Sequence, residues 1–206
     1  MKLRSSLGIL VASISLLGLG AQPMLAMGGL RTASSVAPAA GGYFGARLDS
    51  NAFPSNAYQG QECPDPGACT RVMNRAYNGG IVEAPRAGYV DKIKVVGGVP
   101  GSFRLFFVKV KPGTHEAKAV KKGPVIDYQG QPDTAGGDVV IETFDIADIS
   151  VQKGWRIAIK SSDPSTLRCD SGNGSYTYQP GLVVGDSYRD ETDSSSCAIL
   201  VKAIYR

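Results

Sequence analysis

The chain has 206 residues, a formal charge of +4, 43% hydrophobic and 19% charged residues, which leaves room for one domain of ordinary size plus extensions. The charge falls to +2 once Lys2 and Arg4 are removed with the segment described next, too close to neutral to imply a nucleic-acid or membrane-surface partner. Twenty-six glycines and twelve prolines suit a fold built from many turns.

Residues 1–26 have the three-part layout of a secretory signal peptide. Lys2 and Arg4 make the start positive, residues 7–19 are apolar apart from Ser and Gly, and a small residue, Ala26, closes the segment. Cleavage after Ala21 is the alternative. The apolar run is too short to span a bilayer comfortably, and no later stretch could cross one as a helix. This predicts a secreted protein, extracellular or periplasmic, with no integral membrane segment after cleavage. Residues 27–60 are rich in Gly, Ala, Ser, Pro and Asn and read as a flexible segment. Their few hydrophobic residues, Tyr43, Phe44, Leu48 and Phe53, would let the segment dock as an arm. The domain is assigned to residues 61–206.

Four cysteines remain, Cys63, Cys69, Cys169 and Cys197, an even count that points to disulfides in an exported chain. Three connectivities exist. Pairing by proximity, Cys63 with Cys69 and Cys169 with Cys197, is the most economical. A metal site is the competing reading, but the single histidine, His115, is far away in sequence and the spacing is not C-x-x-C.

Short strand signals divided by turn residues then follow. Tyr89 opens a strand in which Ile93 and Val95 share one face and Lys92 and Lys94 the other. In residues 102–111 Phe103 and Leu105 share one face, whereas Phe106, Val108 and Val110 share the other. Either a bulge sits near Phe106-Phe107 or both faces are buried. Residues 117–121 and 125–128 read as two weaker strands. Residues 139–160 hold two strand runs around a Lys153-Gly154 turn, with a helical turn expected over 145–149. In the second run Trp155, Ile157 and Ile159 point one way and Arg156, Ala158 and Lys160 the other, which puts Trp155 in the core. The last strand, 197–205, is apolar on both faces. About eight strands with no amphipathic helix predict an all-β protein, an antiparallel β-sandwich or jelly roll.

Ala84-Pro85-Arg86-Ala87-Gly88-Tyr89-Val90, Gly101-Ser102-Phe103-Arg104-Leu105, Val151-Gln152-Lys153-Gly154-Trp155-Arg156-Ile157 and Tyr178-Gln179-Pro180-Gly181-Leu182 carry a family likeness. Across residues 81–205 the chain resembles a group of secreted bacterial β-sandwich proteins. Trp155 departs from the pattern, in which an acidic residue after the glycine is commoner. The resemblance implies a carbohydrate-binding or adhesive jelly roll and brings no catalytic residues.

Four chemistries are open to these residues. Nucleophilic catalysis needs a proton-shuttling histidine, and His115 sits in a polar loop without a Gly-x-Ser-x-Gly partner. Glycoside hydrolysis needs two carboxylates, but Glu142 and Asp145 differ in strand parity, and Asp148 follows them as a turn cap. A structural calcium ion would draw oxygen ligands from Asp170, Asn173, Asp190 and Asp193, two of them beside flexible glycines and all near the Cys169–Cys197 staple. Sugar binding would use Tyr176, Tyr178 and Tyr188 as stacking platforms with the amides of Asn173 and Gln179. The reading that results is a non-catalytic secreted module with no required cofactor, binding a glycan or another extracellular surface component. The alternative is a structural or adhesive subunit that uses residues 27–60 as a strand-exchange arm. A small glycan-active hydrolase comes third.

Overall fold

The computed structural model describes residues 41–48, 58–59, 62–130 and 140–206, without the side chains of 58–59 and 170–173. The signal-peptide assignment and most of the segment 27–60 lie outside the described residues.

Among the described residues eleven strands are divided between two antiparallel sheets. They are β1 (Gly42–Gly45), β2 (Tyr58–Gln59), β3 (Cys69–Met73), β4 (Gly88–Val95), β5 (Gly101–Val110) and β6 (Ala117–Tyr128), followed by β7 (Glu142–Val151), β8 (Arg156–Ser161), β9 (Arg168–Tyr178), β10 (Asp193–Ile199) and β11 (Val201–Tyr205). The smaller sheet runs β1-β11-β4-β7. The larger runs β10-β9-β3-β8-β5-β6, with β2 paired to β9. The sheets pack face to face as a sandwich, although their closure does not make a clear jelly roll.

Inward residues of both sheets fill the space between them. Val90, Ile93, Val95 and Tyr205 meet Phe103, Leu105, Phe107, Ile157 and Ile159 in one buried cluster. This is the alternation expected for β4 and β8. Trp155 is half-buried against that cluster just before β8, at the margin of the core rather than inside it. The Lys153-Gly154 turn does not make a hairpin: β7 pairs with β4 in one sheet and β8 with β3 and β5 in the other.

Several sequence expectations need correction. Phe44 and Leu48 are buried, and β1 pairs with β11 from Gly42↔Tyr205 to Gly45↔Lys202. The sandwich therefore begins within the segment assigned as flexible. Residues 117–128 form one strand, not two. Its pairing with β5 slips by one residue at two places, and the extra residues lie in β6, between Val125 and Lys122 and between Lys121 and Ala119. β5 itself alternates without interruption against β8, so its second apolar face is a genuine second burial surface.

No helical turn forms at 145–149. Val90 faces Ile149 and Lys92 faces Asp145, so β7 carries two more residues than β4 over this interval and bulges. The final apolar run is two strands that bend at Leu200, where the chain passes from the larger sheet to the smaller. Both faces read as apolar because it serves two sheets.

Candidate functional site

The second face of β5 is buried because the chain folds back over it. After β9, residues 179–192 make a strap across the outer face of the larger sheet. Gly181 N donates to Ala68 O at 3.1 Å, and Leu182 N to Thr70 Oγ1 at 2.9 Å. Val184 bridges to Ala119 on β6, and Arg189 and Ala117 exchange two backbone bonds of 2.9 Å. The strap then returns to β9, where Thr192 N donates to Thr177 O at 2.8 Å. Leu182 is fully buried beneath it with Val72, Phe106, Val108, Ala158 and Tyr178. A side chain at Gly181 would come within 2.6 Å of Lys160 Cε and 3.0 Å of Thr70 Oγ1, so it would displace the end of the lysine side chain.

Both disulfides have the proximity pairing, Cys63–Cys69 and Cys169–Cys197. The first closes a loop that the strap also holds. The Gln179 side chain donates from Nε2 to Asp65 O at 2.6 Å and accepts from Asp65 N at 3.0 Å. Its amide is thus engaged in joining loop to strap.

The three tyrosines do not make an open platform. Tyr176 and Tyr178 share a face of β9, as parity requires, but that face lies under the strap and the β5–β6 loop. Tyr178 is fully buried and its hydroxyl donates to His115 O. Burial, reinforced by Glu191, raises the Tyr178 phenol well above its ordinary range. The His115 ring stacks on Tyr176, with centroids 4.2 Å apart, and Lys118 Nζ stands 4.7 Å from the Tyr188 centroid. His115 Nδ1 also meets Glu191 Oε1. The histidine therefore ties the β5–β6 loop to the far end of the strap, a role its loop sequence did not disclose.

The remaining candidates are dispersed. Glu142 accepts from the backbone N of Gln129 and of Gly130, at 3.0 and 2.8 Å. Asp145 pairs with Lys92 and Asp148 with Arg206. Asp193 Oδ1 accepts from Ser194 N, and Asp190 is exposed. Asp170 and Asn173 lie on β9 with side chains outside the described residues. Among the described residues no three His, Cys, Asp or Glu side chains gather where they could hold a metal ion.

A cleft of about 510 Å³ opens beside residues 182–184 of the strap. Its floor is Phe106, and its strap wall is Leu182, Val183 and Val184. Three cations surround the floor: Arg104 on β5, Lys160 on β8 and Lys122 on β6. Register brings them together. Arg104 stands directly opposite Lys160, and Phe106 directly opposite Lys122. Like charges set directly across a strand pair destabilise a sheet unless something offsets them. Here backbone carbonyls give partial relief. Arg104 Nη1 donates to Gly123 O at 3.2 Å, and Lys160 Nζ to Gly181 O and Leu182 O, each at 3.3 Å. Among the described residues no carboxylate lines the cleft, and Ser161 and Ser162 complete its lining. Such a volume falls within the range of ordinary ligand sites, roughly 300–1,000 Å³.

Sequence reading missed this site. The parity of Lys160 was legible, and so was the excess of nine Lys and Arg over residues 86–122 against Asp91 and Glu116. That excess reads as a solvated sheet edge until the strand pairing is known. Comparison with protein-family models, curated proteins and solved structures finds no match to the chain.

Proposed function

We propose that the chain is an exported, non-catalytic binding module and that it holds a glycan or other cell-surface component in the strap cleft. The juxtaposition of Arg104 and Lys160 at the floor of a ligand-sized cleft carries this reading. Three cations beside an apolar floor and two serines make a recognition surface. Among the described residues that line the cleft, none belongs to the paired carboxylates that glycoside hydrolysis would use. The two disulfides suit the oxidising compartment to which residues 1–26 would direct the chain.

The test is a heteronuclear NMR titration of the full mature chain against a panel of acidic and neutral surface glycans and lipids. A ligand should shift the amides of residues 104–106, 122 and 181–184 together. If every panel member leaves those amides unmoved, the reading fails.

One observation favours a structural or adhesive role as a second reading. β1 is a short edge strand from the N-terminal segment, and it inserts the buried Phe44 into the sandwich. A strand of that kind can be supplied by a neighbouring copy. Light scattering across a wide concentration range decides the matter, because strand exchange requires a dimer or polymer and a constant monomer rules it out.

A further inference from the structure

We infer that the occupant of the strap cleft is an amphipathic anion, a carboxylate or phosphate head on an aliphatic tail. This rests on the reading of the cleft as a binding site and names the chemistry of its ligand.

The head follows from charge. Arg104, Lys160 and Lys122 come from three adjacent strands and converge on one floor residue, Phe106. The acceptors that Arg104 and Lys160 reach are backbone carbonyls, which orient a cation without neutralising it. Asp127, opposite Ser102 two positions along the strand from Arg104, does not line the cleft. An anion between the three cations would relieve the opposed pair and accept charge-assisted hydrogen bonds from an Arg fork and two ammonium groups.

The tail follows from the wall. Val183 and Val184 are 51% and 44% exposed, an unusual pair of bare branched side chains for a strap whose neighbour Leu182 is fully buried. Ala68 and Leu182 add to the apolar part of the lining. Covering these groups with methylenes removes apolar area from water. The surface is aliphatic. Its one aromatic ring, Phe106, is 4% exposed and offers no open face on which a sugar ring could stack. The wall therefore selects a hydrocarbon body over a carbohydrate one.

The experiment is isothermal titration of the full mature chain with decanoate, decyl phosphate, decyltrimethylammonium and an oligomer of glucuronic acid, with each amphiphile kept below its micelle concentration. Decanoate, decyl phosphate or both should bind one site, and decyltrimethylammonium should bind at least tenfold more weakly. Decanoate alone assigns a carboxylate head, and decyl phosphate alone a phosphate head. Lys122→Gln, an exposed substitution, should weaken binding about tenfold by removing one charge-assisted contact, and Val184→Asn should weaken it several-fold through the tail. Lys109→Gln, outside the cleft, is the control and should change nothing.

Equal affinity for the cationic amphiphile, or Lys122→Gln matching Lys109→Gln, overturns the inference. If the uronic acid oligomer binds in a Lys122-dependent way while both anionic amphiphiles stay silent, the inference fails and the binding-module reading survives. If neither these probes nor the glycan and lipid panel engages the cleft, both fall.

Discussion

Replacing Phe44 by alanine asks whether the N-terminal segment is an appendage or part of the core. Phe44 is fully buried, and its ring lies 6.1 Å from Phe107 of the opposite sheet and 6.0 Å from Tyr205 of the adjoining strand, centroid to centroid. Removing a buried phenyl ring costs about 3–5 kcal/mol through lost transfer energy and the cavity left behind. β1 is an edge strand of four residues and can shift inward to fill part of the space, so the lower end, about 3 kcal/mol, is expected. That is a large share of the roughly 5–15 kcal/mol net stability of a domain. Urea unfolding followed by far-UV circular dichroism and by Trp155 fluorescence should show the midpoint falling with the slope unchanged. Gly45→Ala should act in the same direction, because Gly45 has φ of +100° and an added Cβ would lie 2.4 Å from Val201 O. A loss for Phe44→Ala within about 0.5 kcal/mol, the range of an ordinary surface substitution, would refute the placement of β1 in the sandwich.

Other outcomes follow from the same geometry. Leu182→Ala should cost about 2–4 kcal/mol in urea unfolding, because Leu182 is fully buried and pins the strap. A change under about 1 kcal/mol would mean that the strap is held by its hydrogen bonds alone. Cys169→Ser with Cys197→Ser opens a link of 28 residues and should lower stability by about 3–4 kcal/mol, measured against wild type under non-reducing conditions. Burial pushes the Tyr128 phenol up to about 12 from its ordinary 10, and its contact with Thr166 only partly opposes that shift. Folding thus favours the neutral phenol. The stability this contributes is fully present below about pH 10 and is lost as pH rises toward about 12, a change of roughly 3 kcal/mol. Tyr128→Phe should flatten that alkaline decline, measured as the difference in unfolding midpoint between about pH 9 and pH 11. An unchanged slope would remove Tyr128 as its source.

The strands were legible wherever one face meets the core and the other meets water. β4 and β8 are of this kind, and Ile93, Val95, Ile157 and Ile159 are buried as their period of two requires. Legibility failed where tertiary context overrides the local pattern. The acids at 145–149 suggest a turn, yet β7 is an edge strand whose two surplus residues form a bulge, and its acids pair with Lys92 on β4 and with Arg206. Phe44 stands among Gly, Ala and Ser, so no periodicity announces it, and only the open edge of β11 gives it a place. Tyr176 and Tyr178 were assigned to one strand face correctly. Whether that face is open depends on the strap, whose path no local pattern encodes.

The cation pair shows most clearly why a site can be invisible in sequence and yet strongly determined by it. Arg104 and Lys160 stand 56 positions apart in the sequence, and either alone is an ordinary outward residue of a strand. Their meeting depends on the register of β5 against β8. That register is set on the other face of the same strands, where Leu105 opposes Ile159 and Phe107 opposes Ile157 in the core. A slip of one residue would turn the core set of one strand toward solvent, so the apolar face holds the register against the repulsion on the polar face. Core burial of about 1.5–3 kcal/mol per large side chain outweighs a like-charge pair that costs roughly 0.2–1 kcal/mol. The sandwich can therefore hold two cations in opposition without a bound anion, and a bound anion would convert that standing cost into affinity.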